Sequence, residues 1–308
     1  MLIHSPMNIR TVSLLALFVV PATIYAQGSI FSQWQARASQ TQSKQPGWSV
    51  PLITQYPSLI QVARTDFVRQ ITAARTTTWI YDNSKGLNLI PFANTEIDFN
   101  LPPYIQHNVA TAKDGAGDTS FALKYRPFAG NEQHGSYVAS IAAVATIPTG
   151  SYSNGSTDAT IAPTIGVGKG IGHFDVQSCA NVVLPTGDTS KLGRPVTWNA
   201  VLQYHLGKYA WPEIEQNSTF YRGGKNDGKI QTFVTPGFMF GKFKFRPEDK
   251  TSRIGLAFGA GMQIATSTYH ATITTWFLRR AICSSAASTW FAVYRGHSVS
   301  LLAMETVG

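Results

Sequence analysis

The chain has 308 residues and a formal net charge of +9, yet only 13% of its residues are charged, against about 25% in ordinary soluble domains. With 44% hydrophobic and 12% aromatic residues it can bury too much surface to be disordered, and it carries too few charges for a typical soluble enzyme surface. Past about residue 30 no run of roughly 18 apolar residues would make a membrane helix. Apart from Arg279 and Arg280, Lys and Arg are scattered singly, which argues against a nucleic-acid partner.

Residues 1–26 read as a secretory signal. Arg10 precedes a short apolar core from Val12 to Val20, and Pro21 leads to a cleavage point after Ala26. That core is too short to cross a bilayer as a helix. Residues 27–70 are rich in Gln, Ser and Pro, with Trp34 and Trp48, and their lack of periodicity predicts an exposed N-terminal segment.

From about residue 75 the dominant period is two. Residues 75–82 and 86–92 are expected strands. Ile97, Phe99 and Leu101 alternate with Glu96, Asp98 and Asn100, and Phe121, Leu123 and Tyr125 with Lys124 and Arg126. Tyr137 to Ile147 and Ile254 to Ile264 each carry an apolar face. The clearest cases are Phe174 to Leu184 and Val196 to Leu206. In the first, Phe174, Val176 and Val182 oppose Asp175, Gln177, Cys179 and Asn181; in the second, Trp198, Leu202 and Tyr204 oppose Asn199, Gln203 and His205. Glu213, Glu215 and Asn217 form the polar side of a further strand, Glu213 to Tyr221. Successive side chains of a strand point to opposite faces, so each segment has one apolar and one polar side.

Links between these strands alternate in length. Gly170 to His173 and Gly207 to Ala210 are tight, whereas Gly150 to Ala159, Pro185 to Pro195 and Arg222 to Gly228 are long and polar. Short turns at one end and long loops at the other is the organisation of an outer-membrane barrel. The expected fold is therefore all-β: a transmembrane antiparallel β-barrel of about 12 strands over residues 71–278. A soluble sandwich also alternates, but its core would leave many of these polar groups unsatisfied at about 1–3 kcal/mol each. Facing a wet lumen they cost little. The predicted lumen-facing residues are Lys124, Arg126, Asp175, Gln177, Asn181, Asn199, Gln203, His205, Glu213, Glu215 and Asn217, with Phe174, Val176, Trp198, Leu202 and Ile254 turned to lipid.

No enzymatic constellation stands out. Gly166 to Gly172 contains four glycines at alternate positions but lacks the phosphate-loop spacing, and reads as a strand with a glycine face. Glu213 and Glu215 could do acid–base work, but paired acids in a barrel lumen more simply hold water or cations. No Ser–His cluster supports a lipid hydrolase, which stays a third reading. Cys179 and Cys283 make neither a disulfide framework nor a metal cluster. No catalytic, cofactor-binding or metal-binding residue is assigned, and no cofactor is expected.

The run Asp114 to Arg126 resembles the Gly-Asp…Lys-Tyr-Arg element of bacterial outer-membrane barrels similar to the MetA-type protein of phenol-degradation operons. Ile147-Pro148-Thr149-Gly150, Phe174 to Gln177, Leu184-Pro185-Thr186-Gly187, Trp211 to Glu215 and Asn217-Ser218-Thr219 look like further elements in the expected order. The resemblance covers about residues 95 to 272. It implies an outer-membrane barrel for passive passage or binding of a small solute, hydrophobic and aromatic ones included, in contact with outer-membrane lipid and inserted by the barrel assembly machinery. The alternative is a non-transporting structural or adhesion barrel with binding loops.

The resemblance also implies a last strand of the form Asn-His-Asn-Leu-Val-Leu-Thr-Ala-Arg after Thr272. The chain instead reads Ile273 to Ala281, and suitable codons read one base back would spell the expected strand. Arg279 and Arg280 sit side by side, where a lipid-facing strand would pay about 2–4 kcal/mol for one of them near the midplane. A frameshift near Thr272 is therefore expected, with Ile273 to Gly308 non-native sequence and residues 279–308 an atypical tail outside the barrel; the alternative is a genuine extension whose first residues, Thr272 to Leu278, close the barrel.

Overall fold

Apolar–polar alternation needs two different surroundings, and the backbone of each strand needs a neighbour on both sides. A sheet that closes on itself meets both needs. The computed structural model, which describes residues 28–83, 85–244, 254–284 and 290–291, is such a sheet. A helix, α1 (Gly28–Gln42), and an extended stretch precede β1 (Val62–Thr72), β2 (Thr77–Asp82), β3 (Gly86–Phe92), β4 (Thr95–Asn100), β5 (Tyr104–His107), β6 (Gly115–Ala116) and β7 (Thr119–Gly130). Then come β8 (Tyr137–Ile147), β9 (Thr160–Ile171), β10 (Phe174–Val182), β11 (Leu184–Pro185), β12 (Val196–Tyr204), β13 (Ala210–Phe220), β14 (Ile230–Lys244), β15 (Ile254–Ala265), β16 (Thr272–Ser284) and β17 (Trp290–Phe291).

These strands build twelve antiparallel staves. β2 with β3, β4 with β5, β6 with β7, and β10 with β11 each form one interrupted stave. The second to fourth staves break side by side. Asp82 and Asn83 take positive φ angles of 74° and 46°, and in the next stave Pro102 and Pro103 offer no N–H to a ladder. Hydrogen bonds from Leu101 N–H to the Lys85 carbonyl and from Gly117 N–H to the Pro103 carbonyl, 3.0 and 2.7 Å, carry the sheet across the gap.

Closure is made by β16 against β1, in register from Val62 opposite Cys283 to Thr72 opposite Thr272. This corrects the sequence-based boundaries at both ends. The barrel starts at Val62 rather than residue 71, and its last strand continues beyond 278 to Ser284. Arg279 is 1% exposed and faces inward, directly opposite Asp66, so it carries no lipid penalty. Closing the barrel with residues from Thr272 onward requires no shift of reading frame. Residues 1–26, 285–289 and 292–308, which include the predicted signal and most of the predicted tail, lie outside the described residues, as does the side chain of Ile254.

Along β7 the buried Ser120, Ala122, Lys124 and Arg126 alternate with the exposed Phe121, Leu123 and Tyr125. Along β10 and β12 the buried Asp175, Gln177 and Gln203 alternate with the exposed Phe174, Val176 and Leu202. The outer surface is thus apolar and the inner surface polar. Strand alternation puts the links 148–159, 186–195 and 221–229 on one rim. The turn 172–173 and the link 205–209 lie on the other. β1 begins at this second, short-link rim.

Candidate functional site

The interior is occupied by the chain's own N-terminal segment, which is not exposed. Trp48, Val50, Leu52, Tyr56 and Ile60 pack with the inward side chains Val138, Trp211, Met239 and Ala257 into the main apolar cluster. Wall glycines make room for it. A Cβ on Gly168 would lie 2.5 Å from the ring of Trp48, and one on Gly237 or Gly261 2.5 Å from the Leu52 side chain. Gly166 lies against Pro57 in the same way. The alternating glycines of β9 are therefore the floor on which Trp48 and Pro57 rest.

The polar wall addresses the segment's backbone. A strand-like stretch inside a barrel has no ladder partner, so its N–H and C=O groups must be met by side chains. Glu213 accepts from Leu52 N–H at 3.1 Å, and Glu215 accepts from Ile53 N–H at 2.8 Å and from the N–H and O–H of Thr54 at 2.6 and 2.5 Å. Glu96 accepts from Ile60 N–H. Arg279 donates to the carbonyls of Val50, Pro51 and Leu52, Arg64 to that of Leu52, Lys124 to that of Ser58 and Gln177 to that of Ser49.

The same groups pair with one another. Lys124 and Glu96 meet at 2.5 Å, and Asp66 takes both Arg64 at 2.7 Å and Arg279 at 3.0 Å. Buried pairs of this kind contribute less to net stability than to position, because desolvation offsets much of their attraction. Here they aim charges at fixed points of the segment.

Of the residues picked from sequence, Lys124, Arg126, Asp175, Gln177, Gln203, Glu213, Glu215 and Asn217 are buried on the inner face. Arg126 reaches Gln45 of the segment at 2.5 Å. A hydrogen-bonded chain runs from Asp175 through Gln177 and Gln203 to Glu213, at 2.8, 3.0 and 2.6 Å. Asn181 and Asn199 are half-buried nearer the long-link rim, where Asn199 accepts from Asn217 at 3.2 Å. His205 falls just past the end of β12, in the short-link rim, where its ring stacks on Trp211 with centroids 4.0 Å apart. Burial, and secondarily the neighbouring His173, hold its pKa below the ordinary 6.5.

Sequence reasoning missed Asp66, Arg64, Glu96 and Arg279. Glu96 carried a signal, since it alternates with Ile97 and Phe99. Asp66 and Arg64 lay in a stretch read as aperiodic, and Arg279 in one read as a tail.

Among the described residues a cavity lies at each rim. One of about 550 Å³ opens at the short-link rim, lined by residues that include Trp48, Glu132, His173, Asp175, His205 and Trp211. The other, about 360 Å³, lies at the long-link rim beside Asn83, Pro103, Asp118 and Asn154.

No family model and no curated protein matches the chain. Its fold, however, matches the crystal structure of the COG4313 outer membrane channel from Pseudomonas putida F1, with a TM-score of 0.50 and 14% sequence identity, over 75% of this chain and 97% of that one. The two chains share a barrel fold. At that identity the likeness is one of architecture.

Proposed function

We propose that the protein is a bacterial outer-membrane channel that binds and passes a small solute, with the N-terminal segment seated in the lumen as its gate. The observation that carries this reading is the closed twelve-stave wall with an apolar outside and a charged, hydrogen-bonding inside. Lipid supplies no hydrogen-bond partners, so a closed barrel is one of two backbone solutions for crossing it. Exposed Phe121, Leu123, Phe174, Val176 and Leu202 then face acyl chains. On this reading residues 1–26 direct export, the barrel assembly machinery inserts the chain, and the long-link rim faces outward. The fold match with an outer membrane channel supports it, as do the motifs similar to the MetA-type barrels.

A filled lumen favours binding and gated passage over a permanently open pore, and the apolar and aromatic residues inside favour solutes with apolar bodies. The test is reconstitution of the full chain and of a chain lacking residues 28–61 in planar bilayers and liposomes. The shortened chain should conduct ions strongly and the full chain weakly, with flux of small aromatic solutes. Absence of conductance and flux from both would overturn the channel reading and favour the structural or adhesion barrel.

A further inference from the structure

We propose that the cavity at the short-link rim is a binding site for an organic ammonium ion with an apolar or aromatic body. This rests on the solute-channel reading and names the solute class that this end of the lumen takes.

The carboxylate of Asp175 lies on the cavity wall and is 2% exposed. Its Oδ1 accepts from the Gln177 amide at 2.8 Å, while its Oδ2 has no hydrogen-bond partner among the described residues. A buried polar atom left unmatched is costly, and a charged one more so. The chain has an excess of nine positive charges, yet among the described residues no Lys or Arg lines this cavity, whose basic side chains are His173 and His205 and whose acidic ones are Asp175 and Glu132. Glu132 accepts from the Gly47 N–H at 2.7 Å, which ties that carboxylate to the segment at the cavity mouth. Among the described residues no side chain of fixed positive charge lies there to balance Asp175, and burial holds the His205 imidazole toward its neutral form.

The remaining walls specify the body of the ligand. Trp48 and Trp211 are buried in them, with the His205 ring stacked on Trp211. Indole faces attract cations through the ring quadrupole and also accept apolar groups. A volume of about 550 Å³ suits a small organic molecule. An inorganic cation fits less well, because no group of three or more His, Cys, Asp or Glu among the described residues could hold a metal ion. An anion would meet two carboxylates, and a neutral alcohol would leave the Asp175 charge unbalanced.

The test uses the full chain in detergent micelles, titrated with 2-phenylethylammonium and, as neutral and anionic counterparts, 2-phenylethanol and 3-phenylpropionate. Calorimetry and tryptophan emission are the readouts. The ammonium should bind about 10- to 100-fold more tightly than the alcohol, the size of one charge-assisted hydrogen bond, and the carboxylate should not bind measurably. Asp175→Asn should remove most of that preference. Equal affinity for ammonium and alcohol overturns the proposal, as does an unchanged preference in an Asp175→Asn variant that keeps the heat-modifiable gel mobility of the folded barrel. If that variant does not fold, the wild-type ratio decides, a value near one refuting the site. Solute flux without ammonium selectivity sinks this inference and leaves the channel reading intact. Ammonium binding without conductance does the reverse.

Discussion

Replacing Arg279 with methionine keeps most of the side-chain volume and removes the guanidinium that joins three parts of the structure. In the native chain Arg279 on β16 meets Asp66 on β1 through Nε at 3.0 Å and Nη2 at 3.2 Å, and donates to three successive carbonyls of the lumen segment. Removing one partner of a buried pair costs about 3–5 kcal/mol, because the other charge is left uncompensated. Asp66 retains Arg64 at 2.7 Å, which offsets part of that, and water can reach some of the freed carbonyls. The net expectation is a loss of about 2–4 kcal/mol in barrel stability, read as a lower midpoint for loss of heat-modifiable mobility in a urea series. Asp66→Asn should cost a similar amount. The double variant should lose less than the sum, with a coupling of about 1–3 kcal/mol. An Arg279→Met barrel within about 0.5 kcal/mol of wild type, the range of an ordinary surface change, would refute the register of β16 on β1. It would also restore the view that residues from 273 onward are not native sequence.

Three further outcomes follow from the seating of the segment. Gly168→Val should push Trp48 out of its place, since even a Cβ would come within 2.5 Å of its ring. The barrel should still form while ion conductance rises and tryptophan emission moves to the red. Glu215→Ala removes the acceptor of Ile53 and Thr54, so limited proteolysis should cut the segment near residue 53 several-fold faster, at a cost of about 1–3 kcal/mol in docking; unchanged cutting would show that the segment is held elsewhere. His205 has a folded pKa lowered below 6.5 by burial and by His173, with Glu132 opposing. Its unfolded form therefore binds the proton first, and stability is lost as pH falls from about 6.5 toward the folded value. Asp175 and Trp211 line the same cavity as His205. His205→Gln should flatten the dependence of the melting temperature on pH below about 6.5, and an unaltered pH profile would show that His205 does not set it.

Much of the wall was legible because period two is a geometric property of strands. Phe174 to Leu184 and Val196 to Leu206 separate an apolar from a polar face residue by residue, and that phase holds in the buried Asp175, Gln177 and Gln203 and the exposed Phe174, Val176 and Leu202. The glycine face of Gly166 to Gly170 was also visible as a pattern. The sequence could not say what the glycines receive, since Trp48 arrives from a hundred residues upstream.

Parts of the second to fourth staves were harder to read: Glu96 to Leu101 and Phe121 to Arg126 show the period, but Pro102, Pro103 and the positive φ at Asp82 and Asn83 cut off pieces too short to show one. Residues 43–61 were read as exposed for a different reason. A segment surrounded by wall on every side has no solvent face to alternate with, and when that wall is polar its Gln and Ser residues resemble those of a surface linker. Arg279 looked unfit for a strand until β1 placed Asp66 opposite it. Composition and alternation alone thus determine a closed, two-faced sheet and which side chains share a face. Tertiary structure decides which backbone groups those side chains meet, because a contact such as Glu215 with Thr54, 161 residues apart in the chain, depends on how the whole barrel closes and leaves no local pattern in either partner.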